Sequence, residues 1–292
     1  MSIRRLTPED ESDVEDFLRD QLESSMFLLH NVSRGGLTYH GNRHQAEYFG
    51  FFRGNTLLGL AAHTWLDTLV LQSPSLEALD AFEKHLPRLI SRPIKGVLGP
   101  RDQCVELMDR LSLDRSNASL DQDEPLYRLD LARMRCPADL EDPTMVVRPP
   151  RPEEHTLLSR WRLLWLQEIM LYRPSEALDR RAAHETLLAI EEQRAFVLEY
   201  RPADGPPELV SWCCFNAMCD GAVQLSGLWT PHTLRGRHFG QVAAAGALLH
   251  ARDVLGARIA TVLLDEGNRP ALACCEALRF ERVGRFSFTL WG

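Results

Sequence analysis

The chain has 292 residues, 45% of them hydrophobic and 25% charged, so it is long enough for two domains that each bury a core. Its net charge is −8, and residues 1–142 carry 16 basic against 24 acidic side chains, whereas the remainder carries 17 of each. An acidic first half argues against nucleic-acid binding, which needs a basic face.

Hydrophobic periodicity predicts mixed strands and helices along the first half. Residues 3–6 fit a short strand, and a helix follows the start signal Thr7-Pro8. Gly54-Asn55 marks a hairpin turn between two strands. Further strands are predicted at 46–53, 57–65, 68–72, 94–98 and 125–131, and helices at 76–90 and 102–111.

The second half repeats this order of elements. Asp220-Gly221 is a strong hairpin signal. Helices are predicted at 154–170, 178–193, 240–254 and 269–278, and strands at 195–200, 208–218, 222–230, 259–264 and 282–290.

A proline-rich stretch separates the two halves. Residues 136–154 contain five prolines and restart the pattern of the N-terminus. Val147-Arg148 matches Ile3-Arg4, and the residues 152–154 match 8–10, at a constant offset of 144 positions. A repeat of this length predicts duplication of a whole domain.

The stretch between the strand 222–230 and the next helix has the composition of an anion site. It runs Thr230-Pro231-His232-Thr233-Leu234-Arg235-Gly236-Arg237-His238-Phe239-Gly240. A helix start offers unpaired N–H groups and the positive end of the helix dipole, glycines let the backbone approach the anion, and two arginines add charge. The stretch predicts a phosphate-binding turn, with a solvated strand-to-helix connection as the alternative.

This stretch resembles the acyl-CoA signature of the GNAT N-acetyltransferase superfamily, Gln/Arg-x-x-Gly-x-Gly/Ala. Arg235 fills its first position and Gly240 its last, whereas His238 stands where the family has a glycine. A second segment, 265–280, is similar to the family element Asn-x-x-Ala-x-x-x-Tyr-Glu-x-x-Gly-Phe. Here Cys275 replaces the tyrosine and Arg279 the glycine.

The resemblance implies an α/β fold of two tandem GNAT-like domains, each a mixed, mostly antiparallel sheet flanked by helices. A degenerate domain would occupy residues 1–135, a linker 136–143, and an acyl-CoA-binding catalytic domain 144–292. It also implies acetyl-CoA as co-substrate, no metal, and cofactor-binding roles for Leu228, Thr230, Arg235, Gly236, Arg237, His238, Phe239, Gly240 and Asn268. Asn268 also fits a helix N-cap on its own merits.

The catalytic residues are less clearly marked by the sequence. In the family the tyrosine often returns a proton to the departing CoA thiolate, so Cys275 is one candidate, with a core cysteine as the alternative reading. No carboxylate stands on the strand 222–230. Glu168 and His232 are candidate proton acceptors for the acceptor amine, or else surface pairing residues.

The first half lacks the basic turn. Residues 73–80 contain neither arginine nor glycine, and the acidic side chains there would repel a nucleotide. We expect an acetyl-CoA-dependent N-acetyltransferase with one site in the second half, acting on a small-molecule or peptide amine. A non-catalytic acyl-CoA-binding or interaction protein is the alternative, and an aminoacyl-tRNA-using transferase is disfavoured by the acidic first half.

The number of cysteines and the hydropathy of the sequence indicate the cellular compartment. Seven cysteines, an odd number with two adjacent pairs, are typical of a reducing cytoplasm. No apolar leader opens the chain, and no stretch has the roughly 18 to 20 apolar residues of a membrane span. We expect a cytoplasmic protein with no membrane or nucleic-acid partner, present as a monomer or a homodimer.

Overall fold

Twelve strands and eight α-helices follow one another along residues 2–291, the part of the chain that the computed structural model describes. The first elements are β1 (Ser2–Arg5), α1 (Glu11–Arg19), α2 (Leu22–Gly35), β2 (Ala46–Arg53), β3 (Thr56–Thr64), β4 (Thr68–Gln72), α3 (Leu76–Leu89), β5 (Gly96–Pro100), α4 (Arg101–Arg110) and β6 (Leu120–Asp130). The remaining elements are β7 (Met145–Arg148), α5 (His155–Glu168), α6 (Glu176–Glu191), β8 (Ala195–Tyr200), β9 (Glu208–Cys219), β10 (Ala222–Trp229), α7 (Phe239–Asp253), β11 (Ile259–Leu263), α8 (Arg269–Leu278) and β12 (Glu281–Leu290).

The chain divides into two units. One contains the residues up to Leu126 together with those from Arg282 onward, and the other is Tyr127–Glu281. Each unit has a mixed, mostly antiparallel sheet with helices packed on it, so the predicted α/β fold class is confirmed. Within residues 2–291, none of the helices combines the length and the apolar character that crossing a bilayer requires.

The sheet of the first unit has the strand order β1-β2-β3-β4-β5-β12, in which β4 and β5 run parallel. Helix α3 carries Ala78, Leu79, Phe82 and Leu86 at helical spacing, and all four are buried. They pack with Phe49 and other apolar strand residues into one core cluster. The amphipathic period seen in the sequence therefore fixes which face of α3 meets the sheet.

The sheet of the second unit has the order β6-β11-β10-β9-β8-β7 and contains the parallel pair β10–β11. The pairing runs from Ala222–Ile259 to Leu225–Val262, and β10 then continues to Trp229 without a partner on β11. Helix α7 packs on this sheet, and four of its alanines share a core cluster with Leu248 and Val223. The two parallel strands thus separate just before the predicted phosphate-binding turn.

Strand β10 is bulged in the same region. Its pairing with β9 shifts register between Gln224 and Leu225 and again between Ser226 and Trp229. Gly227 lies inside the second shift with a φ of +63°, a conformation that glycine adopts without steric cost. The bulge leaves Gly227 and Leu228 without register partners on β9, between the paired residues Ser226 and Trp229.

The closing strands differ from the sequence-based scheme, which ends the second domain at residue 292. Strand β12 pairs antiparallel with β5, from Phe286–Pro100 to Leu290–Gly96, and so belongs to the first unit. The later part of β6, from Tyr127, belongs to the second unit, where Leu129 enters the core. Local periodicity predicts a strand but does not encode which sheet edge it joins, because pairing is a non-local property.

The duplication seen in the sequence has a structural counterpart. Arg4 forms a two-pronged ion pair with Asp10, at 2.8 and 2.5 Å, and Arg148 does the same with Glu154, at 2.9 and 2.5 Å. Each acid also accepts a backbone N–H at the start of the short helical turn that it closes. These two pairs stand 144 positions apart, so the repeat preserves a specific contact as well as a sequence pattern.

Candidate functional site

The second unit contains a cavity of about 520 Å³ where β10 ends and α7 begins, with α8 forming its other wall. Eight of the nine predicted cofactor-binding residues line it: Leu228, Thr230, Arg235, Gly236, His238, Phe239, Gly240 and Asn268. Arg237 is not in the lining; it is exposed, and its guanidinium lies over the rings of Phe239, at 4.6 Å, and Tyr200, at 5.8 Å.

The start of α7 has the geometry of an anion site. The first hydrogen bond of the helix runs from the Val242 N–H to the His238 carbonyl, so the amides of Phe239, Gly240 and Gln241 have no acceptor within the helix. Gly240 and Gln241 line the cavity, and the buried Phe239 ring anchors the turn. Free amides at the positive end of a helix dipole favour a bound phosphate.

Gly240 keeps the cavity wall open. A Cβ at this position would lie 3.4 Å from Thr230 Oγ1 and 3.7 Å from Leu228 Cδ2, both of which belong to cavity-lining residues. These are ordinary van der Waals distances, so the fold itself tolerates a side chain there. The space that the missing side chain leaves is therefore available to a ligand.

Arg235 is held by protein groups. Its guanidinium donates two hydrogen bonds to the Glu168 carboxylate, at 2.7 and 3.1 Å, and one to the Thr230 carbonyl, at 3.0 Å. It also lies 4.6 Å from the centre of the Trp229 ring. The resemblance predicts a phosphate contact for Arg235, whereas the side chain links the end of α5 to the loop before α7.

Glu168 contacts both His232 and Arg235. His232 Nε2 lies 2.8 Å from Glu168 Oε2, and Glu168 lines the cavity. The hydrogen bond from Arg235, with the charges of Arg235 and His232, lowers the pKa of Glu168. A carboxylate with a lowered pKa is a weaker base, so this arrangement suits pairing better than proton abstraction.

Cys275 lies in the core instead of the cavity. Its side chain is 4% exposed and packs with Leu248 and Leu278, and burial raises the pKa of its thiol. The neighbouring Cys274 lines the cavity and is half-buried, with burial raising the pKa of its thiol to about 12. Helix phase explains the difference, because adjacent residues point about 100° apart.

Two departures from the family pattern fall on left-handed backbone. His238, the N-cap of α7, has a φ of +59°, and Arg279, which follows α8, has a φ of +73°. The family has glycine at both positions, and glycine is the residue that adopts such a φ without a Cβ penalty. Both turns are retained here without glycine.

Asn268 caps α8, and its Oδ1 accepts the Ala271 N–H at 3.2 Å. Several further lining residues, Gln241, Pro270 and Cys274 among them, escaped the sequence reasoning. Cys274 adjoins the predicted Cys275 but points about 100° away from it, so the family position did not reveal it. Gln241 was recoverable, because it directly follows Gly240 in the first turn of the predicted helix. Pro270 had no such signal.

The corresponding turn of the first unit has a different structure. After β4 the backbone N–H of Ser73 donates to Gln103 Oε1 at 2.5 Å, and Ser73 is fully buried. A side chain of the protein therefore occupies the donor that follows the parallel strand in this unit. This donor is therefore not available to a ligand in the first unit.

No protein-family model matches the sequence, and no curated protein matches it either. Solved structures do. A Drosophila protein shares 14% identity and a TM-score of 0.65, covering 99% of this chain and 98% of its own. A GNAT-family acetyltransferase from Colwellia psychrerythraea shares 13% identity and a TM-score of 0.54, and the match covers all of both chains. A tandem GNAT protein from the clavulanic acid biosynthesis pathway shares 14% identity and a TM-score of 0.54, and the match covers 99% of this chain and 97% of that one. The chain therefore has the fold of tandem GNAT proteins, as the sequence motifs predict.

Proposed function

We propose that the protein is an N-acetyltransferase that uses acetyl-CoA and has one cofactor site, in the second unit. The observation that carries this proposal is the set of unpaired amides at the start of α7, which faces a cavity where β10 and β11 separate. The fold alone supports an acyltransferase only in general terms, because the same fold hosts several functions.

The residues present fit acetyl-CoA. The amides at Phe239–Gln241 would hold the diphosphate, and the backbone of Leu228 and Thr230, at the end of β10, would bind the pantetheine arm. Acetyl-CoA supplies an acetyl group activated as a thioester. The cavity volume lies within the range of small-molecule sites, and its open wall at Gly240 accommodates close approach of a phosphate.

The chain's own part is mainly orientation and polarisation. An amine attacks the thioester carbon, the carbon–sulfur bond breaks, and the amine proton ends on the released thiol, giving an amide and CoA. Backbone N–H groups at the bulge of β10 would stabilise negative charge that develops on the carbonyl oxygen. Glu168 is engaged by Arg235 and His232, so we assign water the transfer of the amine proton.

A second candidate is a non-catalytic acyl-CoA-binding protein. Two observations favour it: Cys275 lies in the core, and Glu168, a carboxylate that lines the cavity, forms an ion pair with Arg235. Such a protein would bind CoA through the same amides and release no thiol.

Two measurements distinguish the candidates. Calorimetric titration with CoA tests the site, and thiol release from acetyl-CoA in the presence of an amine panel tests turnover. Binding with amine-dependent thiol release supports the transferase. Binding without release with every amine supports the non-catalytic candidate, and absence of CoA binding contradicts both.

A further inference from the structure

Arg162, on α5, presents one unused edge of a buried guanidinium to the bulge of β10. Its side chain is 15% exposed, and Nη1 is buried without a hydrogen-bond partner among residues 2–291. A buried cationic donor without a partner is costly, and in native proteins it usually marks a bound water, ion or ligand.

The other edges of this guanidinium are occupied. Nε and Nη2 both donate to Glu185 Oε2, at 2.9 and 2.7 Å, and the Trp165 ring covers the face at 4.3 Å. A Cβ at Gly227 would stand 3.3 Å from Nη1, so the unused edge lies directly against the bulge. Arg162 is thus fixed in place with one pair of N–H bonds directed at β10.

This position adjoins the proposed reacting centre. Gly227 immediately precedes Leu228, the first β10 residue of the cavity lining, and Gly227 and Arg162 themselves lie just outside that lining. Two more buried polar atoms without partners among residues 2–291, Gln224 Oε1 and Thr261 Oγ1, belong to register partners earlier on β10 and β11. The flanking Val223 and Leu225 belong to the core cluster under α7, so by strand alternation Gln224 faces the opposite side of the sheet.

The net charge of Arg162 and its neighbours indicates which kind of ligand would bind there. Glu185 is shared with Arg181, at 2.7 Å, so the three side chains carry one net positive charge. Although burial opposes ionisation of Glu185, its two arginine partners lower its pKa, and it stays a carboxylate at neutral pH. An anion is therefore preferred over a neutral group, and the N–H groups of Nη1 can donate to a carboxylate oxygen.

We propose that Arg162 binds the carboxylate of the acceptor, so that the substrate class is an amine that also carries a carboxylic acid. This inference rests on the proposed transferase function. A carboxylate held at the bulge keeps the amine only a few bonds from Leu228, which is the spacing found in an amino acid.

The test compares matched acceptors and matched variants. Thiol release from acetyl-CoA is measured with amino acids and with the corresponding amino-acid amides, for the wild type, Arg162→Met and the control Arg160→Met. Arg160 lies on the same helix and is exposed. Calorimetric titration with CoA and thermal melting are run on all three proteins.

We expect the wild type to prefer acids over their amides by at least tenfold in kcat/KM. Arg162→Met should lower kcat/KM for acids about 10- to 100-fold, the range of a hydrogen bond to a charged group, and for amides less than threefold. Arg160→Met should change neither value, and CoA binding should persist in all three proteins.

The inference would be overturned if amino-acid amides had the same kcat/KM as the amino acids, or if Arg162→Met lowered kcat/KM equally for both classes. In either case the transferase function would stand. If the wild type does not bind CoA, both the transferase function and the inference about Arg162 are wrong. If Arg162→Met does not fold, the ratio of kcat/KM for amino acids to that for their amides, measured on the wild type, is the deciding test: a ratio near one would overturn the inference.

Discussion

Replacing Gly240 by alanine should weaken CoA binding without weakening the fold. The added Cβ would lie at 3.4 Å from Thr230 and 3.7 Å from Leu228, so no atom must move. Alanine is better than glycine inside a helix by roughly 0.5 to 1 kcal/mol, and we expect the free energy of unfolding to stay constant or rise by that amount. The same methyl group would face Thr230 and Leu228, within the cavity that the amides line.

The loss in affinity follows from those amides. A hydrogen bond to a charged group contributes about 1.5 to 3 kcal/mol, so displacing the diphosphate from one amide should weaken CoA binding at least tenfold. The assays are calorimetric titration with CoA and urea unfolding followed by circular dichroism. Unchanged affinity in a folded Gly240→Ala variant would refute diphosphate binding at these amides. Destabilisation beyond about 1 kcal/mol would show that a Cβ at position 240 does not fit without strain.

A matched control lies on the same helix. At Gly246 a Cβ would meet Val147 at 2.5 Å, closer than van der Waals contact allows. Gly246→Ala should therefore cost about 1 to 3 kcal/mol of unfolding free energy while the folded fraction keeps its affinity for CoA. The two alanine variants should thus show opposite patterns of stability and binding.

Three further outcomes are expected. His238→Gly should stabilise the protein by roughly 0.5 to 1 kcal/mol in urea unfolding, because it relieves a left-handed residue, whereas His238→Ala should not. Hydrogen bonding to Arg4 lowers the pKa of Asp10 to about 2, so Asp10→Asn should cost roughly 2 kcal/mol at neutral pH. Because the folded pKa is depressed, that contribution is present above about pH 4 and is lost as the pH falls to about 2, where melting curves of Asp10→Asn and the wild type should converge. Cys275→Ala should leave turnover within about twofold of the wild-type rate. It should lower the free energy of unfolding by about 1 kcal/mol or more, since a core residue loses packing. A large fall in turnover with unchanged stability would restore the catalytic role of Cys275.

Much of the fold was predictable because its signals are local. The hairpins at Gly54-Asn55 and Asp220-Gly221, and strands such as Ala195–Tyr200, appear where periodicity and turn residues predict them. The closing strands were not predictable. Both β6 and β12 have strand character, but which parallel pair each one flanks depends on contacts more than a hundred residues away.

The candidate site was predictable in outline for a similar reason. A strand, a turn with glycines and a helix start are adjacent in sequence, so their composition alone indicates an anion site. The partners of its side chains are not adjacent. Arg235 and Glu168 are 67 residues apart, and nothing in the motif indicates that this arginine is already paired. Arg162 was missed because its environment comes from α6 and a bulge that sequence patterns do not reveal.

A crystal structure with CoA tests the central claim most directly. We expect diphosphate oxygens within hydrogen-bonding distance of the amides at Phe239, Gly240 or Gln241, with the pantetheine arm along Leu228 to Thr230. Well-ordered CoA bound in the first unit, or in the second unit without contact to those amides, would contradict it.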